Sequence, residues 1–143
     1  MIRTAIHEDI PRLVRIWLAA SELAHDFVPA EFWREHADDM ANIYLPQSDV
    51  LVNEVNGEIV AFSAMTGHHL AALFVDPDFQ GQGHGGLLLK HLQHVHGHIE
   101  LCVFTKNQSA TNFYIRYGFR IDKKQCEPQS GESEYRMSWK ENS

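Results

Sequence analysis

Apolar residues in the first third of the chain follow a helical spacing. After a short strand-like segment at residues 1–6, four apolar residues recur at i, i+3, i+4 and i+7, namely Leu13, Ile16, Trp17 and Ala20. A second helical face lies within residues 29–46, between two prolines, and comprises Trp33, Ala37, Met40 and Tyr44. We therefore predict one strand followed by two helices, the second of them continuous between the prolines.

Strand-like runs occupy the middle of the chain. Residues 50–55 and 58–66 flank the dipeptide Asn56-Gly57, which is the strongest short-range signal of a tight hairpin. Residues 69–75 form a third apolar run beyond Gly67. These patterns predict three consecutive strands.

Helical and strand-like segments then alternate to the end. Residues 83–96 carry Leu88, Leu92 and Val95 in helical register, and residues 99–105 are strand-like. Ser109 is a candidate cap for a further helix that ends at Gly118. A closing hairpin is expected from residues 119–124 and 134–139.

The resulting order is β-α-α-β-β-β-α-β-α-β-β, within a single α/β domain over residues 1–143. Its one βαβ unit joins residues 69–75 to residues 99–105. That unit predicts one parallel strand pair, with a right-handed crossover, in a mostly antiparallel sheet flanked by helices. Ligands of such sheets gather at the carboxyl ends of the parallel strands.

Composition and charge exclude several classes of protein. The chain is 44% hydrophobic and 22% charged, as expected for a folded domain. No apolar run approaches the ~18 residues that cross a membrane, the start lacks the apolar core of a signal peptide, and two cysteines are too few for a disulfide scaffold. We expect a cytoplasmic protein, a monomer or a homodimer, with no membrane partner.

Negative charge is concentrated in one segment. The net charge is −7, and residues 21–50 hold seven carboxylates against Arg34 alone. Nucleic-acid binding requires a basic surface instead, so no nucleic-acid partner is expected. The segment is either an ordinary solvated helix face or an acidic rim that attracts a cationic substrate.

Four of the nine glycines fall in the connection from strand to helix at residues 76–86. Glycines at such a junction let backbone amides approach a ligand, and the helix start adds partial positive charge. The connection therefore predicts a site for an anion such as phosphate.

One interpretation of this loop is a dinucleotide site, because Gly81-x-Gly83-x-x-Gly86 matches that fingerprint. The fingerprint places its first glycine almost at the strand end, whereas five residues separate Val75 from Gly81. It also requires a carboxylate at the end of the next strand, where this chain has Lys106. We therefore regard the match as accidental.

A second pattern fits the loop better. Gln80-x-x-Gly83-x-Gly85 resembles the pyrophosphate loop of the GNAT acetyltransferase superfamily, and Asn107-x-x-Ala110-x-x-Phe113-Tyr114-x-x-x-Gly118-Phe119 resembles the second motif of that family. His25-Asp26-Phe27 and residues 73–78 further resemble the small bacterial YjaB-type members. The resemblance covers residues 70–120 in detail and the whole chain in element order. It implies the GNAT fold and transfer of an acetyl group from acetyl-CoA to a primary amine.

The resemblance also implies where acetyl-CoA binds. In the family, the strand that matches residues 69–75 is bulged and splays from its parallel partner, and its backbone binds the pantetheine, here at Leu73, Phe74 and Val75. The pyrophosphate lies on the loop, here formed by Gln80, Gly81, Gln82, Gly83, His84, Gly85, Gly86 and Leu87. Asn107 matches a position that contacts the pantetheine arm.

The implied chemistry is direct attack of an amine on the thioester in a ternary complex. An alkyl ammonium has a pKa near ~10.4, so a base is needed, as is an acid for the leaving sulfur. Tyr114 matches the tyrosine taken as that acid in the family. His69 matches the catalytic glutamate of histone-type members, although His68 and water are alternatives. Cys102 stands where other members carry a glutamate.

The resemblance implies that the two N-terminal helices and the closing hairpin enclose the acceptor. We expect Asp26, Phe27 and Glu31 to contact a cationic amine, which is a protein lysine, an N-terminus or a small molecule. No metal is expected. Five histidines lie in or near the helix predicted over residues 83–96, but they form no recognisable ligand pattern: His84, His91, His94, His96 and His98. A non-catalytic acyl-CoA sensor and, less favoured, a dinucleotide oxidoreductase remain the alternative functions.

Overall fold

Seven strands form one mixed sheet. In the computed structural model, which describes residues 1–141, the strand order is β1-β2-β3-β4-β5-β7-β6. The strands are β1 (Ile2–Thr4), β2 (Asp49–Val55), β3 (Glu58–Thr66), β4 (His69–Val75), β5 (His98–Phe104), β6 (Arg120–Cys126) and β7 (Ser133–Lys140).

Helices cover this sheet. They are α1 (Ile10–Ala24), α2 (Ala30–Glu35), α3 (Ala37–Asp39), α4 (His84–Val95) and α5 (Gln108–Arg116). The predicted order of elements and the mostly antiparallel sheet are confirmed, with one exception in the second helix.

The prediction of one continuous helix over residues 29–46 is wrong. α2 and α3 are short, and Met40–Tyr44 forms a π-helical turn that the Leu45 amide closes on the Met40 carbonyl at 3.0 Å. A π-turn is wider than an α-turn and shifts the helical register. Trp33 and Met40 are therefore buried as expected, whereas Tyr44 is 49% exposed.

β4 contains a β-bulge. Ala64 of β3 pairs with Ala72, while the next residue, Met65, pairs with Leu70, so Ala71 is an extra residue in β4. The bulge changes the face that the following side chains occupy. Leu70 packs in the core beneath α4 and α5, whereas Ala72 packs in the core beneath α1 and α2.

β4 and β5 are the parallel pair, and they separate almost at once. His69 and Glu100 are the one residue pair that joins them in the described structure. The strands then diverge towards their carboxyl ends at Val75 and Phe104, as the resemblance implied.

Among the described residues, two large hydrophobic cores and a smaller cluster of Val60, Ala61 and Leu88 hold the helices against the sheet. The first packs α1 and α2 through residues that include Leu13, Ile16, Trp17, Trp33 and Phe62. The second packs α4 and α5 through residues that include Leu89, Leu92, Ile99, Tyr114 and Met137. Val95, which the periodicity placed on the apolar face of its helix, is 62% exposed at the end of α4.

Candidate active site

A cavity of about 800 Å³ opens where β4 and β5 separate. Its walls come from the end of β4, the glycine loop at residues 76–86, the start of α4, α5 with the loop before it, and the end of α1 with His25. The lining includes most of the predicted cofactor-binding residues and the predicted acid, namely Leu73, Phe74, Val75, Gln80, Gly81, Gly83, His84, Gly85, Gly86, Asn107 and Tyr114. Gln82 and Leu87 do not line it, and both are exposed.

Two local features shape the glycine loop. The Asp78 amide donates a hydrogen bond to the Asp76 carboxylate at 3.0 Å, which stabilises a 3-10 turn over Pro77–Phe79. Gly83 directly precedes α4 and has a φ of +90°, a left-handed conformation that favours glycine. Because α4 begins at His84, the amides of its first turn have no acceptor within the helix and can bind an anion.

An ion pair joins the loop to α1. The Arg12 guanidinium contacts the Asp76 carboxylate and donates to the Ile59 carbonyl at 3.0 Å. Burial acts to raise the pKa of the Asp76 carboxyl, but the Asp78 amide and Arg12 outweigh burial, so the pKa lies below its usual value. Asp76 is therefore a buried anion that connects α1 to the cavity wall.

The start of α4 lies directly against the end of α5. A Cβ on Gly86 would overlap the hydroxyl of Tyr117, and a Cβ on Gly85 would lie 3.2 Å from a Val75 methyl. The sequence indicated that these glycines admit a ligand. The structure shows that Gly85 and Gly86 also leave room for the side chains of Val75 and Tyr117.

Tyr114 belongs both to the core and to the cavity wall. Its side chain is 7% exposed, and its ring packs against Phe113 and Phe119 at centroid distances of 5.2 and 5.4 Å. Burial raises the pKa of its hydroxyl, which therefore stays protonated at neutral pH.

Asn107 connects the cavity to the bend between α1 and α2. Its side-chain oxygen accepts a hydrogen bond from the Ala110 amide at 3.1 Å and so caps α5, where the sequence indicated Ser109 as the cap. That prediction is wrong, because α5 begins at Gln108 and Ser109 lies inside it. The side-chain nitrogen of Asn107 lies 2.9 Å from Nε2 of His25.

A second cavity, of about 410 Å³, lies between α2, the π-helical turn, β3, β4 and the loop that joins β6 to β7. Most of its lining is aromatic or aliphatic: Trp17, Phe32, Trp33, Met40, Tyr44, Leu45, Ala64, Ala71 and Ala72. The remaining lining residues are His36, Gln47, Ser48, Thr66 and Gln129. No Asp, Glu, Lys or Arg is among these described residues.

The two cavities adjoin each other. Along β4, Ala71 and Ala72 line the second cavity and Leu73 begins the lining of the first. His25 in the wall of the first cavity packs against Trp33 in the wall of the second, with ring centroids 5.2 Å apart. Two bound molecules, one in each cavity, would therefore meet near the separation of β4 and β5.

Six predicted site residues line neither cavity: Gln82 and Leu87 of the glycine loop, and the four described next. His69 is exposed at the start of β4, and Asp26 and Glu31 are exposed near the start of α2. Phe27 is half-buried, and the Lys106 ammonium lies 5.3 Å from its ring centroid. The predicted base and the predicted acceptor contacts thus do not share a cavity lining with Tyr114, and their roles stay predictions.

Positive charge in the first cavity was not foreseen. Lys106 and Arg116 both line it, and no carboxylate does among the described residues. Lys106 forms an ion pair with Glu132 at 3.2 Å. Arg116 forms no ion pair within residues 1–141. The described lining of this cavity thus has two cationic side chains, one of them already paired, and this favours an anionic ligand over a cationic one.

Other kinds of site receive no support in the described part of the chain. Within residues 1–141, no three His, Cys, Asp or Glu side chains are arranged to hold a metal ion. None of the helices there has the length and apolar character that crossing a bilayer requires. Cys102 and Cys126 are exposed free thiols.

Known proteins are similar to this chain in sequence over most of its length. Escherichia coli peptidyl-lysine N-acetyltransferase YiaC is 37% identical over 122 residues, which cover 85% of this chain and 84% of that protein. Escherichia coli peptidyl-lysine N-acetyltransferase YjaB is 35% identical over 122 residues, covering 84% and 82%.

Solved structures agree. The solution structure of apo-form YjaB from Escherichia coli has a TM-score of 0.86 at 28% identity, covering 99% of this chain and 98% of that one. The PaiA N-acetyltransferase of Thermoplasma acidophilum in complex with coenzyme A has a TM-score of 0.82 at 14% identity, covering 98% of each chain, which shows the fold alone. Residues 46–121 also match the family described as the acetyltransferase (GNAT) domain. The chain therefore belongs to the GNAT family and is an N-acetyltransferase.

Proposed function

We propose that this enzyme transfers the acetyl group of acetyl-CoA to the side-chain amine of a lysine in a peptide or protein. The observation that carries the proposal is the pair of adjoining cavities at the separation of β4 and β5, one suited to the cofactor and one to the acceptor. Two relatives more than one third identical to the chain are named peptidyl-lysine N-acetyltransferases, which favours lysine over other amines.

The residues of the first cavity fit acetyl-CoA, an anion with a long polar arm. The amides around Gly83 and the first turn of α4 would bind the pyrophosphate, and Arg116 would add a positive charge. The backbone of residues 73–75 and the Asn107 side chain would hold the pantetheine arm. When bound, acetyl-CoA supplies the activated thioester.

Tyr114 would provide the proton for the leaving sulfur. A C–N bond forms as the C–S bond breaks, and the sulfur takes up the phenolic proton, which solvent later replaces. This role requires a phenol that is protonated before the reaction. The burial that raises the pKa of Tyr114 meets this requirement.

The acceptor ammonium must lose one proton before it attacks, and a second proton leaves the nitrogen as the amide forms and returns to Tyr114 through the solvent. Neither cavity offers a carboxylate among the described residues that could take the first proton. His69 is exposed outside both cavities, so it would accept that proton only through water. We propose a water-relayed deprotonation, with His69 or the solvent as the final acceptor. The aromatic lining assists, because partial desolvation disfavours the charged form of the amine.

The second cavity suits a lysine side chain. Four methylene groups can pack against Trp17, Trp33 and Ala72, while polar residues such as Gln47 and Gln129 contact the peptide at the entrance. Asp26 and Glu31 would act from a distance, by attracting a cationic peptide. We propose that the enzyme works in the cytoplasm, where its two exposed thiols stay reduced.

A thiol-release assay with acetyl-CoA tests the proposal. The acceptors are a lysine peptide with a blocked N-terminus, the same peptide with acetylated lysine, a lysine-free peptide with a free N-terminus, and a polyamine. Turnover with the first peptide alone is expected. Turnover with the N-terminal amine or the polyamine alone would exclude lysine as the acceptor class.

Thermal unfolding, read together with the turnover assay, separates an enzyme from a sensor. At a hundredfold excess over Kd, acetyl-CoA should stabilise the protein by about 2.7 kcal/mol, and NAD should not. Stabilisation by acetyl-CoA without turnover on any amine would favour the sensor, and stabilisation by NAD alone would exclude the cofactor assignment.

A further inference from the structure

A buried histidine lies between the two cavities. His25 is 8% exposed, follows directly after α1, and lines the first cavity. We call the first cavity, proposed above for acetyl-CoA, the cofactor cavity, and the second cavity, proposed for lysine, the acceptor cavity. Its ring packs against Trp33, Phe104 and Phe27 at centroid distances of 5.2, 5.0 and 5.7 Å. Neither the sequence patterns nor the chemistry of acetyl transfer assigns it a role.

The hydrogen bonds around Asn107 fix the protonation of this ring. The Asn107 oxygen accepts from the Ala110 amide, so its NH₂ group must point the other way, towards Nε2 of His25. Nε2 must then accept a hydrogen bond, at 2.9 Å, and cannot carry a proton. His25 is therefore neutral, with its proton on Nδ1, which has no hydrogen-bond partner among the described residues.

The surroundings favour the neutral ring. Burial lowers the pKa of His25 to about 4. Lys106 adds a positive charge on the same side, since its ammonium lies 5.3 Å from the Phe27 ring that packs on His25. A protonated ring would also turn an N–H towards the Asn107 NH₂ group, so that two donors would face each other. The Asn107 contact thus exists with neutral His25 alone.

We propose that His25 is a positioning residue that holds the Asn107 side chain in the orientation that acetyl-CoA requires. The ring joins the bend after α1 to the cap of α5, the helix that carries Tyr114. This inference rests on the proposed use of acetyl-CoA. His25 would act without touching the thioester or the amine. Its ring contacts Trp33 of the acceptor cavity on one side and Asn107 of the cofactor cavity on the other, and so links the two cavities.

Two substitutions separate the hydrogen bond from the packing. His25→Phe keeps an aromatic ring against Trp33 and Phe104 but removes the acceptor for Asn107. His25→Gln keeps an acceptor oxygen near the position of Nε2 but removes the ring. His91→Phe, at an exposed histidine of α4 outside both cavities, is the matched control.

Coenzyme A affinity by calorimetry and steady-state kinetics are the measurements. His25→Phe should weaken coenzyme A binding and raise KM for acetyl-CoA by about tenfold, with a smaller change in KM for the lysine peptide. His25→Gln should restore most of the affinity even if it melts at a lower temperature, because acceptance at this position is what Asn107 needs. A weaker affinity in His25→Gln than in His25→Phe, or unchanged affinity in both, would overturn the proposal.

The tautomer is measured independently of any cofactor. In ¹H–¹⁵N spectra of the wild-type imidazoles, His25 should carry its proton on Nδ1 and none on Nε2 between pH 6 and 8. A proton on Nε2 would refute the contact. If the wild type binds no coenzyme A, the proposed function fails, and with it the cofactor role of His25, while the spectra still decide whether the contact exists.

Discussion

Tyr114 has the two properties that an acid for a thiolate needs, a protonated hydroxyl and a place in the cofactor cavity. Tyr114→Phe removes only the oxygen, and the ring keeps its packing against Phe113 and Phe119. We therefore expect kcat to fall by about 10²-fold while coenzyme A affinity and the melting temperature change little. A kcat within twofold of the wild type would assign the proton to solvent.

Gly86 is a site where an ordinary stabilising substitution should fail. Alanine is favoured over glycine inside a helix by up to about 1 kcal/mol, yet a Cβ here overlaps the Tyr117 hydroxyl. Gly86→Ala should lower the melting temperature and weaken coenzyme A binding, and adding Tyr117→Phe should reverse much of both losses. Gly97→Ala, which meets only an ordinary contact at 3.7 Å, is the control. Equal losses in the single and double variants would contradict this account.

His25 also makes stability depend on pH. A histidine titrates near ~6.5 in the unfolded chain and at about 4 in the folded protein, so below pH 6.5 the unfolded state binds the extra proton. The contribution of neutral His25 to the free energy of unfolding is therefore complete above pH 6.5 and is lost as the pH falls to 4. At about 1.4 kcal/mol per pH unit, the loss amounts to up to about 3 kcal/mol. Urea unfolding at several pH values measures this effect. As the pH falls from 6.5 to 4, the free energy of unfolding should decrease less in His25→Gln than in the wild type, whereas His91→Gln should match the wild type.

The sequence could predict that residues of a spaced motif lie at the first cavity, but it could not predict residues whose role depends on a contact distant in sequence. The glycine loop, Asn107 and Tyr114 stand at fixed spacings in the sequence and do line one cavity. His25 owes its role to a neighbour 82 positions away, and no local pattern reveals such a contact. His69, which was selected by its match to a family position, is exposed and lines neither cavity.

At the level of elements, periodicity predicted the regular helices and strands but not the irregular turns within them. The strand and helix order follows from runs of period two and period 3.6, but the π-turn at Met40–Tyr44 does not. A bulge in β4 was expected from the family resemblance alone, and its position at Ala71 was not. A bulge leaves the apolar sequence unchanged while it reverses which face the next side chains occupy. Both irregularities border the acceptor cavity, so its shape was beyond the sequence pattern.

The tie between α1 and the glycine loop gives an element-level prediction. Asp76→Asn leaves Arg12 without its buried anion, which should reduce the free energy of unfolding by about 1–3 kcal/mol and weaken coenzyme A binding through a looser loop. The control is Asp78→Asn, because the Asp78 side chain is exposed and its amide, which it keeps, makes the loop contact. Urea unfolding and calorimetry measure both effects. A destabilised variant with unchanged affinity would show that the loop keeps its shape without the tie.

On the scale of the whole molecule, the two signs of charge are separated. Residues 21–50 are strongly acidic, whereas the cofactor cavity has Lys106 and Arg116 and no carboxylate among its lining residues. Exposed carboxylates such as Asp26 and Glu31 act over about one Debye length, roughly 8 Å at physiological salt. They can therefore steer a cationic peptide without touching it in the second cavity.

Ionic strength tests that steering. KM for the lysine peptide should rise with salt more than KM for acetyl-CoA, and neutralising Asp26 and Glu31 together as Asn and Gln should flatten the dependence. The same salt dependence in the wild type and the double variant would identify the acidic segment as ordinary surface.

The single residue pair between β4 and β5 has a consequence for the protein before it meets its cofactor. Beyond the pair of His69 and Glu100, no residue pair joins β4 to β5 in the described structure, so the sheet carries two edges in its middle. Sheet edges are where chains add foreign strands and aggregate, and proteins usually shield them. Acetyl-CoA, lying between the strands, would serve as that shield. A cell that runs short of acetyl-CoA would thus lose the activity of this enzyme and also expose the enzyme to mispairing with other chains.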